Sequence, residues 1–305
     1  MKFGFIGYGS IAKKHIQAIF SLYPNASILL VRHKPSAPDN ETPGCTTARD
    51  FDELRNVDAI CITNPTSLHV NTIQKVLAFK KPLFIEKPLS HNMTGLSDLV
   101  KSINASGLIN YVACNMRFHS CMEYLKEKLL PGLRINEANS YCGSFLPDWR
   151  AGIDFRSSYS AHKSMGGGVH LDLIHEIDYC YYLFGAPKKQ FKTLTNKSNL
   201  GIDAVDFAHY HWQYESFSAQ ITLNYFRKDY KRTLEIVAED ATYLVDFKSC
   251  TVSRGDEVIF TGDQGVEGMY QRQMKYFVEQ VQANRACSND IKEAYHVLNL
   301  CINES

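Results

Sequence analysis

A lysine and an aspartate–histidine pair are the residues whose types and spacing suit proton transfer. Lys87 follows the short apolar run of residues 83–85 and precedes Pro88. Because proline lacks an N–H and disfavours helix in the residue before it, the strand must end here with Lys87 extended. A lysine at the carboxyl end of a central parallel strand lies where open α/β sheets bind ligands. Taken alone, this pattern also fits an ordinary surface lysine in a turn.

Asp172 and His175 are three residues apart in a segment that follows the glycines at 166–168. Apolar residues recur there at helical spacing, which predicts one helix with both side chains on the same face. A carboxylate so placed can orient an imidazole, whose reference pKa of ~6.5 suits proton exchange. His170 lies two residues before Asp172 on another face and is the weaker candidate.

The chain begins with a pattern that can hold a dinucleotide. A predicted strand at residues 2–6 leads into a turn of the form G-x-G-x-x-A and then into an amphipathic helix. The residues of the turn are Gly7, Tyr8, Gly9, Ser10, Ile11 and Ala12. The first glycine permits the tight turn, the second lets the backbone approach a pyrophosphate, and the alanine allows close helix packing. The helix N-terminus supplies free N–H groups for phosphates. The alternative is a tight turn that binds nothing.

The second predicted strand, residues 28–31, ends in Arg32, His33 and Lys34. An acidic residue here would bond the ribose 2′-hydroxyl of NAD, and none is present. A guanidinium can instead pair with the 2′-phosphate of NADP. We therefore expect NADP to be preferred over NAD, with Arg32 responsible. The alternative is that Arg32 and Lys34 are solvated surface cations.

Strands and helices alternate through the first third of the chain. A third predicted strand ends before Asn64, Pro65 and Thr66, so we expect these residues at the carboxyl edge of the sheet near the cofactor. His69 opens the next helix, where a packing or capping role is favoured over catalysis. We also count His69, Glu86 and Lys87 among the residues expected at the cofactor. The alternation argues for a parallel, right-handed βαβ sheet, and so for a Rossmann domain at residues 1–118.

Past this point the pattern predicts an α+β domain, residues 119–305. Alternating runs between residues 203 and 260 predict a large, open, mostly antiparallel sheet with one covered face. His209 and His211 share a face of one strand, but no set of nearby ligands completes a metal site, so we expect packing and no metal. Aromatic residues on the open face predict a homodimer or homotetramer through this sheet.

A long polar and aromatic segment, residues 145–161, interrupts the second domain. Loops of this length are usually functional or disordered, and the aromatic content favours an ordered binding loop. Arg150, Arg156 and Lys163 can meet a carboxylate or phosphate of a substrate. The alternative is a surface loop with scattered cations.

Composition excludes several classes of partner. The formal net charge of the 305 residues is +1, so nucleic acid and anionic membranes are not expected as main partners. No apolar stretch approaches the ~20 residues that span a bilayer, and the run at residues 1–7 is too short for a signal peptide. Nine cysteines lie scattered without paired spacing, which predicts reduced thiols and a cytoplasmic location.

Together these motifs resemble the Gfo/Idh/MocA family of nicotinamide-dependent sugar and polyol oxidoreductases. The resemblance rests on residues 7–12, 64–69, 86–88 and 115–118, and on the glycine run before Asp172 and His175. It implies that Lys87 touches nicotinamide and substrate, that Glu86 fixes Lys87, and that the Lys87–Pro88 peptide is cis. The residues it suggests for substrate binding, besides Asp172 and His175, are Arg117, Trp149, Arg150 and Arg156.

One spacing departs from the family pattern. Many relatives place the histidine four residues after the aspartate, whereas here the gap is three, a difference of about 100° of helix rotation. A branch of the family with the order Asp-x-x-His-Glu-x-Asp matches this chain, so we retain His175. The sequence of the 145–161 segment resembles that of family members associated with nonulosonic (sialic-acid-like) sugar pathways.

The resemblance implies reversible hydride transfer between a nicotinamide and a hydroxyl-bearing carbon of a sugar, sugar acid or sugar derivative. His175 would exchange the hydroxyl proton, Lys87 would stabilise the developing alkoxide, and Asp172 would position His175. We expect this active site between the two domains. Two other functions stay open, a glycoside hydrolase that retains its NAD and a non-catalytic dinucleotide-binding sensor.

Overall fold

The computed structural model describes residues 1–32, 43–263 and 265–303. The strands and helices of the first 115 residues are β1 (Lys2–Ile6), α1 (Ser10–Leu22), β2 (Ser27–Val31), β3 (Cys45–Thr47), β4 (Ala59–Ile62), α2 (His69–Leu77), β5 (Leu83–Glu86), α3 (Leu96–Ser106) and β6 (Asn110–Ala113). Those that follow are α4 (Ser120–Tyr124), β7 (Ile135–Phe145), α5 (Val169–Asp172), α6 (His175–Phe184), β8 (Lys189–Thr195), β9 (Phe207–Gln213), β10 (Ser218–Asn224), β11 (Phe226–Ala238), β12 (Thr242–Asp246), β13 (Thr251–Arg254), β14 (Glu257–Thr261), α7 (Val266–Gln282) and α8 (Ile291–Ile302).

The chain folds as two units. The first comprises residues 1–115 and 266–298, and the second comprises residues 116–265 with the last residues from Asn299. The sequence predicted a single second domain at 119–305, whereas the structure assigns α7 and most of α8 to the first unit. Phe277 of α7 packs on Phe84 of β5 with 5.4 Å between ring centroids. The Tyr111 hydroxyl also donates a hydrogen bond to Gln273 of α7.

The first unit contains the predicted parallel sheet. Its strand order is β3-β2-β1-β4-β5-β6, and every neighbouring pair is parallel. All residues of β4 and β5 are buried, as expected for strands that helices cover on both faces. The order changes direction between β1 and β4, where the residues after each strand emerge at the same edge. This is the switch point at which such sheets bind ligands.

The second unit contains an eight-stranded sheet of order β14-β13-β12-β11-β7-β10-β9-β8. Only the β7–β10 pair is parallel among these described strands, so the prediction of a mostly antiparallel sheet is confirmed. Helix α6 covers one face, where the hydroxyl groups of Tyr179 and Ser140 lie 2.6 Å apart. No helix in the described part of the chain is both long and apolar enough to cross a membrane.

The opposite face of this sheet carries one continuous row of side chains, called here the open-face row. Strand register places its members opposite one another, in the order Phe191, His211, Gln220, Asn139, Glu235, Leu244, Ser253 and Val258. Three of them are apolar and exposed, with Phe191 at 59%, Leu244 at 39% and Val258 at 57%. The row therefore crosses all eight strands with large apolar groups at both of its ends.

Candidate functional site

The turn after β1 has the backbone shape that a dinucleotide fingerprint requires. Gly7 has φ of 97°, and a Cβ built on it would lie 2.7 Å from the backbone N and Cα of Asn64. No side chain fits there. Gly9 directly precedes α1, and a Cβ built on it would meet nothing within 4 Å. The Gly9 backbone thus faces open space beside a helix N-terminus, which suits a pyrophosphate.

The loop after β4 packs against this turn. Thr63 Oγ1 donates hydrogen bonds to the carbonyl oxygens of Ile6 and Gly7, at 3.2 and 3.0 Å. Asn64 Nδ2 donates to Thr72 Oγ1 at 2.8 Å, which anchors the loop to α2. Asn64 and the two residues after it therefore follow β4 at the carboxyl edge of the sheet, where the sequence placed them. Their contact with a cofactor stays a prediction.

His69, the first residue of α2, links two loops of the first unit. It is 1% exposed, with Nε2 2.9 Å from the Asn64 carbonyl oxygen and Nδ1 3.0 Å from that of Pro88. Burial lowers its pKa below the usual value, whereas its hydrogen bonds to backbone carbonyls oppose that shift. This agrees with the expected packing role, since the ring holds the β4 loop against the turn after β5.

Glu86 holds the backbone at Lys87. Its Oε2 accepts a hydrogen bond from the Lys87 N–H at 3.0 Å, and its Oε1 contacts His15 Nε2. His15 lies on α1 and is fully buried, edge to face against Phe84 of β5. The Lys87–Pro88 peptide is cis, as predicted. The carboxylate therefore connects the helix of the glycine turn to the strand that carries Lys87.

Arg32, the residue predicted to select the cofactor, lies directly after β2. Its guanidinium carbon is 4.5 Å from the centroid of the Tyr8 ring, a cation–π distance. Tyr8 belongs to the glycine turn, so the predicted phosphate-binding residues and Arg32 are neighbours. The other two residues of that prediction, His33 and Lys34, lie outside the described residues.

Asp172, at the end of α5 in the second unit, is 8% exposed and accepts two hydrogen bonds from tyrosines. The Tyr159 hydroxyl donates to Oδ1 at 2.8 Å, and the Tyr225 hydroxyl donates to Oδ2 at 2.5 Å. Burial and the nearby carboxylate raise the pKa of both tyrosines above the usual value. Both hydroxyls therefore stay protonated near neutral pH and act as donors to the carboxylate.

The structure corrects the prediction that one helix carries Asp172 and His175. Helix α5 ends at Asp172, and α6 begins at His175. Leu173 between them has φ −100° and ψ 33°, which is not helical. The spacing argument from an ideal helix therefore does not apply. His175 instead stands at the N-terminus of α6, half-buried, while the Asp172 carboxylate is held by tyrosines.

His170, the weaker candidate, is 8% exposed on α5. Burial lowers its pKa to about 4, and the charges of Lys192 and Lys163 act in the same direction. A histidine with so low a pKa is neutral near pH 7 and poorly suited to accept a proton there. This supports the choice of His175.

The 145–161 segment consists largely of short 3₁₀ turns, and two of its residues approach Asp172 indirectly. The Trp149 ring packs edge to face on Tyr225 with 5.3 Å between centroids. The Arg150 guanidinium lies over the Tyr159 ring at 5.4 Å. Both tyrosines donate to Asp172, so this segment is positioned around the carboxylate. Trp149 and Leu173 also line a cavity of about 410 Å³.

The other predicted substrate contacts lie elsewhere. Arg156 lies over the Phe155 ring at 4.5 Å and donates to the Leu200 carbonyl oxygen at 3.4 Å. Lys163 is exposed, and its backbone N–H donates to Asp203. Neither side chain has a contact with Asp172 in the described structure. Arg150, Arg156 and Lys163 therefore do not form one cluster around Asp172. Of these three, only Arg150 contacts a tyrosine that bonds Asp172.

Arg117 has a role that the sequence did not predict. Its side chain is 3% exposed and bonds both carboxylate oxygens of Asp178, at 2.9 and 2.6 Å. Removing one partner of such a buried ion pair typically costs 3–5 kcal/mol. Arg232 forms a similar buried pair with Glu176 of α6 at 2.5 Å. The two pairs fix α6, and a contact of Arg117 with substrate stays a prediction.

His209 and His211 form hydrogen bonds within the open face of the sheet. His209 Nδ1 lies 3.0 Å from Thr222 Oγ1, and the Gln220 side-chain amide lies 2.7 Å from His211 Nδ1. Within the described residues, no group of three or more histidine, cysteine or acidic side chains could hold a metal ion.

Sequence reasoning missed the tyrosines that bind Asp172 and the partner of Glu86. Tyr225 is 53 residues from Asp172, and no local pattern joins them. His15 carried a signal, because it lies on the apolar face of α1 where a buried histidine requires a polar partner. A search for an acidic residue at a strand end would have suggested Glu86.

Two family models match this chain. One, described as an oxidoreductase family with an NAD-binding Rossmann fold, matches residues 1–114. The other, described as the Gfo/Idh/MocA C-terminal domain, matches residues 134–244. Both belong to the same family, and their order agrees with the two folds described above.

Individual relatives are more distant. The Bacillus subtilis oxidoreductase YrbE is 28% identical over 60% of this chain, and the Escherichia coli 2,7-anhydro-N-acetylneuraminate hydratase is 25% identical over 61%. This chain matches only 53% and 50% of the lengths of those two proteins. Among solved structures, a levoglucosan dehydrogenase in complex with NADH has a TM-score of 0.85 at 16% identity, over 99% of this chain and 95% of that one. At that identity the likeness establishes the fold alone. On the two matching family models, the chain belongs to the Gfo/Idh/MocA oxidoreductase family.

Proposed function

We propose that this chain catalyses reversible hydride transfer between a nicotinamide dinucleotide and a hydroxyl-bearing carbon of a sugar, sugar acid or sugar derivative. The observation that carries the proposal is the arrangement at the sheet edge of the first unit. There a glycine turn built for a pyrophosphate faces the β4 loop, and Glu86 fixes the backbone of Lys87 at the end of the next strand.

The residues of the first unit fit the cofactor that the family implies. Gly7 allows the turn, Gly9 leaves room beside the N-terminus of α1, and Arg32 lies over Tyr8. When bound, the nicotinamide supplies or accepts the hydride. The absence of an acidic residue after β2 supports NADP as the preferred form, with Arg32 as the partner of its 2′-phosphate.

Three side chains have distinct roles in this proposal. His175 takes the proton of the substrate hydroxyl during oxidation and returns it during reduction. Lys87 donates a hydrogen bond to the same oxygen and stabilises its developing negative charge. Asp172 orients the substrate or His175, because two tyrosine hydroxyls already hold its carboxylate in place.

The test combines a substrate screen with one substitution. Sugars, sugar acids and nucleotide sugars are incubated with NAD or NADP, and with their reduced forms, and nicotinamide fluorescence is followed. For any substrate found, we expect His175→Ala to lower kcat by about 10²–10⁴-fold, the usual contribution of general acid–base catalysis. Cofactor affinity, measured by fluorescence titration, should stay unchanged. Undiminished turnover in the variant would refute the role of His175.

A second candidate is a reaction that uses the cofactor without net consumption. The observation that favours it is the relative named as a hydratase, since adding water changes no overall oxidation state. In that case sugar product would accumulate while total reduced nicotinamide stayed constant. Chromatography of the sugar alongside the fluorescence assay separates the two functions.

A further inference from the structure

A second cavity of the second unit, of about 670 Å³, is lined by groups that the proposed roles leave unused. We call it the β8 cavity, because the residues after β8 form one of its walls. The polar and aromatic residues of interest are Arg156, Lys197, Asp206, Phe207, Phe226 and Lys228. The volume falls within the ~300–1,000 Å³ range of small-molecule sites.

Three cations of the β8 cavity have no acidic partner. Within the described residues, no carboxylate lies within ion-pairing distance of Arg156, Lys197 or Lys228. Arg156 bonds only a backbone carbonyl through its side chain, and the Lys228 ammonium lies 5.9 Å from the centroid of the Phe145 ring. Lys197 and Lys228 are exposed. Three cations against the single carboxylate of Asp206 leave the lining of this concave surface net positive, which attracts an anion.

One buried acceptor in the same cavity also lacks a partner. Asp206 is 1% exposed, and its Oδ2 accepts a hydrogen bond from the Ser198 backbone N–H at 2.9 Å. Its Oδ1 is buried and accepts no hydrogen bond from any described residue. Buried polar atoms are nearly always bonded, and Asp206 belongs to the residues that line the cavity, so its Oδ1 is the acceptor that we assign to an O–H or N–H group of a ligand.

Four phenylalanines, Phe145, Phe155, Phe207 and Phe226, give the lining an aromatic part. The rings of Phe207 and Phe226 are nearly parallel, at 17°, with 6.3 Å between centroids. Phe226 is 39% exposed, which is high for a phenylalanine within a sheet. Such a surface packs against the apolar face of a sugar ring or a base. The cavity thus combines an anion-binding rim, one buried acceptor and an apolar wall.

The β8 cavity shares two lining residues with the smaller cavity of about 410 Å³ described above. Phe145 and Lys228 line both, and the smaller one also includes Trp149 and Leu173, the residue that follows Asp172. We propose that the β8 cavity holds the anionic part of the substrate, so that this chain acts on a sugar that carries a carboxylate or phosphate as well as hydroxyl groups. This inference rests on the proposed function, because it treats the two cavities as parts of one substrate site.

The test measures binding directly, by isothermal titration calorimetry on the full chain at low salt. The probes are N-acetylneuraminate, which carries a carboxylate, UDP-N-acetylglucosamine, which carries a diphosphate, and neutral N-acetylglucosamine. We expect one of the two anionic probes to bind at least tenfold more tightly than the neutral sugar. Binding of N-acetylneuraminate would indicate a carboxylate on the substrate, and binding of UDP-N-acetylglucosamine would indicate a phosphate. Equal affinity for all three probes, or no binding, would overturn the inference.

Two variants locate the binding. The double variant Lys197→Ala/Lys228→Ala should weaken the anionic probe at least tenfold and leave the neutral sugar unaffected. The matched control, Lys189→Ala/Lys248→Ala, removes the same charge from exposed positions outside the cavity. An equal loss in both double variants would show a general charge effect and refute the site.

The proposed role of the Asp206 carboxylate as a hydrogen-bond acceptor for the substrate is tested by the variant Asp206→Asn. We expect weaker binding of the anionic sugar but no weakening for pyrophosphate, which offers no carbon-bound hydroxyl to Asp206. Stronger binding of the anionic sugar would mean that Asp206 only repels anions, and would contradict its role.

The cavity and the proposed function can fail separately. Binding that depends on Lys197 and Lys228 but leads to no turnover would support the cavity as an anion site and reject the proposed function. Equal turnover of charged and neutral sugars would support the proposed function and reject the cavity as an anion site.

Discussion

At the scale of single residues, the hydrogen bonds that hold the Asp172 carboxylate come from side chains that are distant in sequence. The glycine run and the spacing of Asp172 and His175 led us to predict both as site residues, and that role stays a prediction. Tyr159 and Tyr225 could not be predicted, because each reaches the carboxylate from a different segment. The buried ion pair of Arg117 with Asp178 could not be predicted either, because the family motif suggested only a contact with substrate, which stays a prediction.

Arg32 gives a prediction about cofactor choice. Arg32→Asp should raise KM for NADP about 10–100-fold, because a charged hydrogen bond of about 1.5–3 kcal/mol is replaced by repulsion of the 2′-phosphate. KM for NAD should change little or fall. Steady-state kinetics with both cofactors provides the measurement, and Arg32→Gln separates loss of charge from added repulsion. An unchanged ratio of the two KM values would contradict the role of Arg32.

His170 gives a prediction about stability and pH. Its pKa is about 4 when folded and ~6.5 when unfolded, so protonation favours the unfolded chain. The neutral form therefore stabilises the fold above pH 6.5, and this contribution is lost as pH falls towards 4. Between pH 7 and pH 5 the loss is about 2 kcal/mol.

Urea denaturation of the wild type and of His170→Gln at both pH values measures this contribution. The variant lacks the titrating group, so its free energy of unfolding should fall about 2 kcal/mol less over that interval. His211→Gln, on the open face of the sheet, serves as the comparison. Equal pH dependence in wild type and His170→Gln would show that His170 is not the group responsible.

At the scale of elements, the sequence predicted the sheet of the first unit well and the α5–α6 region poorly. The strands β1, β4 and β5 are short buried apolar runs, each followed by a clear turn signal. In the α5–α6 region, apolar residues continue at helical spacing through Leu173 and Ile174, so the pattern does not reveal the break. The break follows from the backbone at Leu173, which local spacing does not encode.

The two glycines of the first turn should respond differently to the same substitution. Gly7→Ala forces a Cβ against the Asn64 backbone at φ of 97°, so both stability and cofactor binding should fall. The stability loss should be about 1–3 kcal/mol, the usual cost of such strain.

Gly9→Ala meets no protein atom within 4 Å and its φ of −81° suits alanine, so the fold should be unaffected. Cofactor affinity should nevertheless fall at least tenfold, since the methyl group takes the space beside the helix terminus. Thermal unfolding and fluorescence titration of both variants supply the data. Normal cofactor binding by Gly9→Ala would rule out the phosphate site.

At the scale of the whole molecule, the open-face row bears on the predicted homodimer or homotetramer. Large exposed apolar residues on a sheet face commonly mark an interface. If that face joins two copies, Phe191→Glu and Val258→Glu should each shift the species in solution towards the monomer. Light scattering after size-exclusion chromatography measures the mass. Ile153→Glu changes an equally exposed apolar residue away from the row and should have no effect. A monomeric wild type would exclude this arrangement.

The division of the chain has a consequence for its synthesis. Phe84 and Tyr111 lie before residue 115, but their aromatic neighbour Phe277 is translated more than 160 residues later. A nascent fragment ending near residue 115 would leave these rings uncovered at the ribosome exit. The dinucleotide fold can therefore be completed only after residues 266–298 have emerged, and a separately expressed fragment would need them supplied through an artificial linker.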